Sequence, residues 1–225
     1  MNTYDFSWSV IQNHLPELID GLIITLEISL VGMMWALAIG LLLAMMRLSQ
    51  YRLLSSTSYG VTQIFRSIPL FVLLFWIYYG LSLKFNINFS DFQAGAIALG
   101  ITGGAYMAEV FRGGLNAIDA GQLEAALAIG LTRTTATRLI VLPQAIRIII
   151  PQAVNVYVGL LKGATIVSVI GVADMIYVAQ YVSLQEFRPF ELYTFAGIVF
   201  VSLTLSIAGF AWLLERKLSE GRSNA

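Results

Sequence analysis

Cysteine is absent from the 225 residues, and histidine occurs once, as His14. The first absence excludes disulfides, thiolate metal sites and cysteine nucleophiles. A single imidazole is too few for the usual metal-binding cluster, so neither a metal site nor a catalytic residue is expected, and His14 reads as a solvated or interfacial residue. Charge is also scarce. The chain is 58% hydrophobic and 12% charged, whereas a soluble domain usually carries about 25% charged residues. So little charge cannot cover a soluble surface. Lys and Arg balance Asp and Glu at 13 each, which leaves no basic field suited to nucleic acid. Residues 1–20 contain Asp5, Glu17 and Asp20 but no Lys or Arg, so the positive start of a cleaved signal peptide is missing. There is no Gly-x4-Gly-Lys-Ser/Thr phosphate loop; if ATP is used, another chain must bind it. No internal repeat, low-complexity tract or second domain is visible, and residues 1–225 read as one domain.

What is present is long apolar runs. A membrane helix needs about 20 mostly apolar residues, and five segments come close: Ile28 to Met46, Ser67 to Leu83, Phe92 to Ala108 or Glu109, Ile148 to Ala173, and Leu192 to Leu214. Each must be helical, because a lipid-exposed strand edge leaves backbone groups unsatisfied. The expected fold is therefore all-α, integral to the membrane, with five spans. Basic residues set its orientation. Arg47 and Arg52 follow span one, Arg133, Arg138 and Arg147 lie between spans three and four, and Arg216, Lys217 and Arg222 follow span five. The opposite side carries only Lys84 and Arg188. The positive-inside rule then predicts an outer N-terminus and a cytoplasmic C-terminus. The connections between spans one and two and between two and three read as short.

The long polar segment from Gly113 to Ile146 is the most informative. Gln122 to Gly130 reads QLEAALAIG, a helix that Gly130 ends with a positive-φ turn. Thr132 is placed to cap a second short helix, and Pro143 is placed to stop it. Two short helices at the cytoplasmic face are expected, in a loop of about residues 119–143. Here Glu124-Ala125-Ala126, Gly130, Ile140, Leu142 and Pro143 fit the pattern EAA-x3-G-x9-I-x-L-P. The segment resembles the EAA loop of importer-type ABC permeases. Phe65 to Leu70 (FRSIPL) with Trp76 to Gly80, Gly104 to Gly114 (GAYMAEVFRGG), and Leu160 to Lys162 followed by Val167 to Gly171 resemble segments of the polar amino acid permeases. The resemblance runs from about residue 22 to residue 217. It implies a permease for the histidine, glutamate, glutamine, arginine and opine group, which forms half a pore with an identical or different second permease chain. It also implies two cytoplasmic ATPase subunits that bind ATP and Mg, a solute-binding protein outside, and a multi-pass place in the bacterial cytoplasmic membrane, in contact with lipid. The coupling residues it implies are Glu124, Ala125, Ala126, Gly130, Leu142 and Pro143. Hydrolysis would occur on the partner, so this chain is not an enzyme. A self-contained secondary transporter is the rival, and five spans without a repeat argue against it.

Ionisable residues at membrane depth usually face the bundle interior or a water-filled cavity. Lys162 is the deepest. It is either a cavity charge that holds an α-carboxylate or gates the path, or a structural partner of Glu109 or a backbone carbonyl. Glu109 and Arg112 stand three apart on one helix face and can pair. Arg66 precedes Pro69 and is either interfacial or part of a gate. Glu27 reads as interfacial. The candidate substrate path is Lys162, Gly163, Thr165, Arg66, Pro69, Tyr106 and Glu109. In the family an acidic residue often follows the span-four lysine, where this chain has Gly163. Either the substrate is not cationic or the second chain carries the site. Pro151 and Gly159 read as packing features of span four. Asp174, Glu186, Arg188 and Glu191 are candidate docking groups for a binding protein, in an outer loop flanked by Tyr177, Tyr181 and Tyr193.

Overall fold

A computed structural model describes residues 5–220, with side chains up to residue 216. The side chain of Lys217, and all of Arg222, lie outside the described residues. The described residues are helical with short connections and contain no strand. A short helix α1 (Ser9–Asn13) leads into α2 (Leu15–Arg47), followed by α3 (Arg52–Ser67) and α4 (Leu70–Phe85). Then come α5 (Asp91–Asn116), α6 (Ala120–Ala128), α7 (Arg133–Ile170), α8 (Met175–Glu186) and α9 (Pro189–Glu220). Four of these, α2, α5, α7 and α9, are each long and apolar enough to cross a membrane. The α3–α4 pair makes a fifth span if counted as one unit, bent by 101°.

The bend corrects the second expected span. The sequence marks its position with Pro69, whose preceding residue is pushed out of the helical region. Ile68 is extended at φ −76° and ψ 125°. The sequence predicts only a short connection before the break. It is instead a 16-residue helix, hidden from hydropathy by its Ser and Thr. Ser58 faces α2, where it is buried and donates to the Leu43 carbonyl at 2.6 Å, and Thr62, one turn further on, is also buried. Leu53, Tyr59 and Ile64 face outward.

The core is a close pairing of α2 and α5, made possible by glycine. A Cβ on Gly40 would stand 2.5 Å from the Met107 Cβ, and one on Gly100 would stand 2.5 Å from the Trp35 Cβ. A Cβ on Gly103 would meet the Cβ of Ala36 at 2.8 Å. Between membrane helices no hydrophobic effect drives association, so small residues that let backbones approach carry the packing. The core extends through Ile28, Leu74, Leu99, Leu160 and Val167, which joins α4 and α7 to this pair.

Pro143 does not stop a helix. It sits in the first turn of the α-helical stretch Leu142–Ala164, entered through a π-helical turn, Thr137–Val141. Pro is tolerated there because its missing N–H is not needed at that point. The second short helix and span four are thus one rod, α7, which ends in a 3-10 turn, Thr165–Ile170, and Gly171 at φ 99°. Pro151 is buried within it, in keeping with a packing role.

Candidate functional site

Helices α3, α4, α5 and α7 enclose an open cleft of about 870 Å³. Its walls carry Arg66 from α3, Leu70 from α4, Thr102, Tyr106, Glu109 and Gly113 from α5, and Gln152, Asn155, Gly159 and Gly163 from α7. Arg66 reaches the cleft from the last turn before the Pro69 break, and its guanidinium lies 5.3 Å from the Tyr106 ring centre. Glu109 and Arg112, one helical turn apart, form the expected pair: Oε2 accepts from Nη2 at 2.7 Å and from Nε at 2.9 Å. The Thr102 hydroxyl is buried and has no hydrogen-bond partner among the described residues. An unpaired buried hydroxyl costs about 1–3 kcal/mol, and this one belongs to a cleft residue.

Of the seven path residues expected from sequence, the cleft brings together four: Arg66, Tyr106, Glu109 and Gly163. Pro69 is not a lining residue and stands at the break between α3 and α4. Thr165 donates to the Lys162 carbonyl at 2.8 Å and lies outside the wall. Lys162 is exposed and makes no ion pair among the described residues, so of its alternative roles the pairing with Glu109 is not formed; Arg112 holds that carboxylate. Sequence reading missed Thr102, Gln152 and Asn155. Gln152, Asn155 and Gly159 recur at helical spacing inside an apolar run, and that stripe was the available signal.

The expected docking acids divide. Asp174 is fully buried. Its Oδ1 caps α8 by accepting from the Tyr177 N–H at 2.8 Å, and its Oδ2 has no partner among the described residues. Burial pushes this carboxyl up to about 7. Nearby, Thr25 accepts from the Met175 N–H at 3.2 Å. Glu191 is also fully buried and accepts from Arg188 at 3.0 Å and from the Ser7 N–H at 3.3 Å. Neither acid is available to a partner, which corrects both assignments. The apparent outer loop is mostly helix, because Asp174 caps α8. His14 is half-buried at the start of α2, in keeping with an interfacial place. It lies between Glu17 and Glu186, 3.3 Å from each. Burial works against charging it, but the two carboxylates outweigh burial and raise its pKa above the usual imidazole value.

Helix α6 carries Glu124-Ala125-Ala126. Asp119 caps it by accepting from the Gly121 N–H at 2.6 Å. Gly130 closes it at φ 86°, with Gly130 N–H bonded to Leu127 O and Leu131 N–H to Ala126 O. Thr132 then caps α7 by accepting from the Thr135 N–H. Only Ala126 of α6 is buried, and Ile129, Leu142 and Pro143 are exposed.

Residues 36–220 match the family described as binding-protein-dependent transport system inner membrane component. The chain is 37% identical over 201 residues to a protein named as a glutamine transport system permease, GlnP, of Rickettsia conorii, covering 89% of this chain and 92% of that protein. It is 37% identical over 222 residues to the amino-acid permease protein YxeN of Bacillus subtilis, covering 98% of each. The glutamate/aspartate import permease GltK of Escherichia coli is 33% identical over 224 residues, covering 95% of this chain and 99% of that one. A crystal structure of an amino acid ABC transporter with histidines superposes with a TM-score of 0.90 at 34% identity, over 95% of this chain and all of that one. The chain belongs to the binding-protein-dependent transport system inner membrane component family, as a permease subunit of an ABC importer for amino acids.

Proposed function

We propose that the cleft between α3, α4, α5 and α7 is this subunit's half of the substrate path, and that α6 is the lever through which ATPase subunits move it. The observation that carries this reading is the exposure of α6. It is capped at both ends, yet it buries only Ala126 within the chain. A helix so well defined with so little internal packing has a face to offer a partner. Two ATPase subunits that bind ATP and Mg grip it and the adjoining Leu142 and Pro143, from the cytoplasm of a bacterial cell. A second permease chain, identical or different, completes the pore. The N-terminus lies outside, where a solute-binding protein delivers the amino acid, and the C-terminus lies in the cytoplasm. The named relatives favour glutamine, glutamate or aspartate as cargo. ATP binding can bias the pore only through its differential affinity for the two states.

Gly130→Asp tests the lever. At φ 86° an L side chain is strained, and the residue is exposed. The variant is expected to insert into the membrane and assemble, yet to lose amino acid uptake while ATPase activity persists. A cysteine at Ala125 should cross-link to the ATPase subunit. Uptake at the unmodified rate in Gly130→Asp, or labelling of the Ala125 cysteine from outside intact cells, overturns the reading.

A further inference from the structure

The charges around the cleft do not balance. Glu109 is the acidic member of its wall, and Arg112 neutralises it. Arg66 has no such partner: it stacks on Tyr106, and no carboxylate lies within ion-pair distance of it among the described residues.

Two glycines show that the space itself is kept open. A glycine inside a helix costs about 1 kcal/mol relative to alanine. Close packing accounts for Gly103 and Gly114, whose added Cβ atoms would stand 2.8 Å and 2.4 Å from neighbouring side chains. Gly113 and Gly159 line the cleft, and a Cβ on either would meet nothing within 4 Å. No contact among the described residues requires these two, and a side chain at Gly159 would project into free volume.

Taking the cleft as the substrate path, we propose that it selects its cargo by charge. Arg66 takes a carboxylate of the ligand, and the uncompensated positive charge excludes cationic side chains. The ligand class is an amino acid with an uncharged or acidic side chain. Arg66 supplies two parallel donors that match a carboxylate, the Thr102 hydroxyl gains the partner it lacks, and Gly113 and Gly159 leave the room. An ammonium or guanidinium side chain in the same place would meet like charge.

The test is equilibrium binding of radiolabelled glutamate, glutamine and lysine to the complete permease–ATPase complex in lipid nanodiscs. The solute-binding protein is omitted, so its own selectivity does not intervene. Glutamate and glutamine are expected to bind at least about tenfold more tightly than lysine. Arg66→Gln should shrink that gap to about threefold or less, and Arg66→Lys should keep most of it. Equal binding of lysine and glutamine to the unmodified complex overturns the charge filter, as does a gap unchanged by Arg66→Gln or absence of binding by all three. Gly159→Phe separates failure of the filter from failure of the path. Loss of all binding in that variant supports the cleft as the path, whereas unaltered binding removes the path and the filter together.

Discussion

Helices α5 and α9 are both long enough to cross a membrane, yet they sit in the protein in opposite ways. Within its apolar stretch, α5 is 61% buried and α9 is 6% buried, although α9 is the more hydropathic. In water this order would be inverted. In lipid, hydropathy does not draw helices together, and small residues do. Five of the glycines of α5, with Ala98 and Ala105, let α2 and α7 lie against its backbone. Helix α9 turns Ile198, Val201, Leu205 and Phe210 outward. Close approach decides burial here, and apolar character decides only depth.

The largest way to break this contrast is to bulk up the tight side. Gly40→Leu would force a side chain into the Met107 Cβ and the Ala108 backbone, and should cost about 3 kcal/mol. The readout is loss of monodisperse protein in detergent; a normal elution profile would contradict the packing argument.

Asp174 sharpens the contrast, because polarity can be buried too when α2 comes close. Backbone atoms of Asp174 and Met175 lie 3.0 Å from where a Gly21 Cβ would stand. With its carboxyl raised to about 7, Asp174 binds a proton more readily in the folded chain than in the unfolded one. Stability from this group is therefore greatest below about pH 4 and falls as pH rises to about 7. Asp174→Asn should melt higher than the unmodified protein at pH 8, by about 2 kcal/mol, and the difference should shrink toward pH 5. A difference independent of pH would refute the burial of an unpaired carboxyl.

The smallest effect lies on α9. Gly197 is exposed and its Cβ would meet nothing within 4 Å. Gly197→Ala should stabilise by about 0.5–1 kcal/mol and leave uptake unchanged. Destabilisation would mean that this face is packed in the working assembly.

What the sequence disclosed follows the range of the interactions. The apolar stretches of α2, α5, α7 and α9, the Glu109–Arg112 pair, the Gly130 turn and the Thr132 cap are all local, and each was legible in advance. The amphipathic α3 escaped, because Ser58 and Thr62 dilute its hydropathy and their reason for being there is a carbonyl on another helix. Asp174 and Glu191 were read as surface charges, as charged residues between spans usually are. Their burial depends on Thr25, 150 residues from Met175, and on Ser7, 184 residues from Glu191. No spacing rule links positions so distant. The cleft was half visible: its charged and aromatic residues stood out, while Thr102, Gln152 and Asn155 blended into apolar runs.

Because Thr137–Val141 is wound one residue wider than its surroundings, the 38-residue rod α7 has a π-helical joint near one end. At about 1.5 Å per residue the rod is roughly 57 Å long. One continuous rod joins the Thr132 end to the wall holding Gln152, Asn155 and Gly163, with Pro143 and Pro151 each leaving one ladder position without an N–H donor. Winding that joint by one residue would swing everything beyond it by about 100° in phase. Its pitch sets which side chains the rod presents to the cleft.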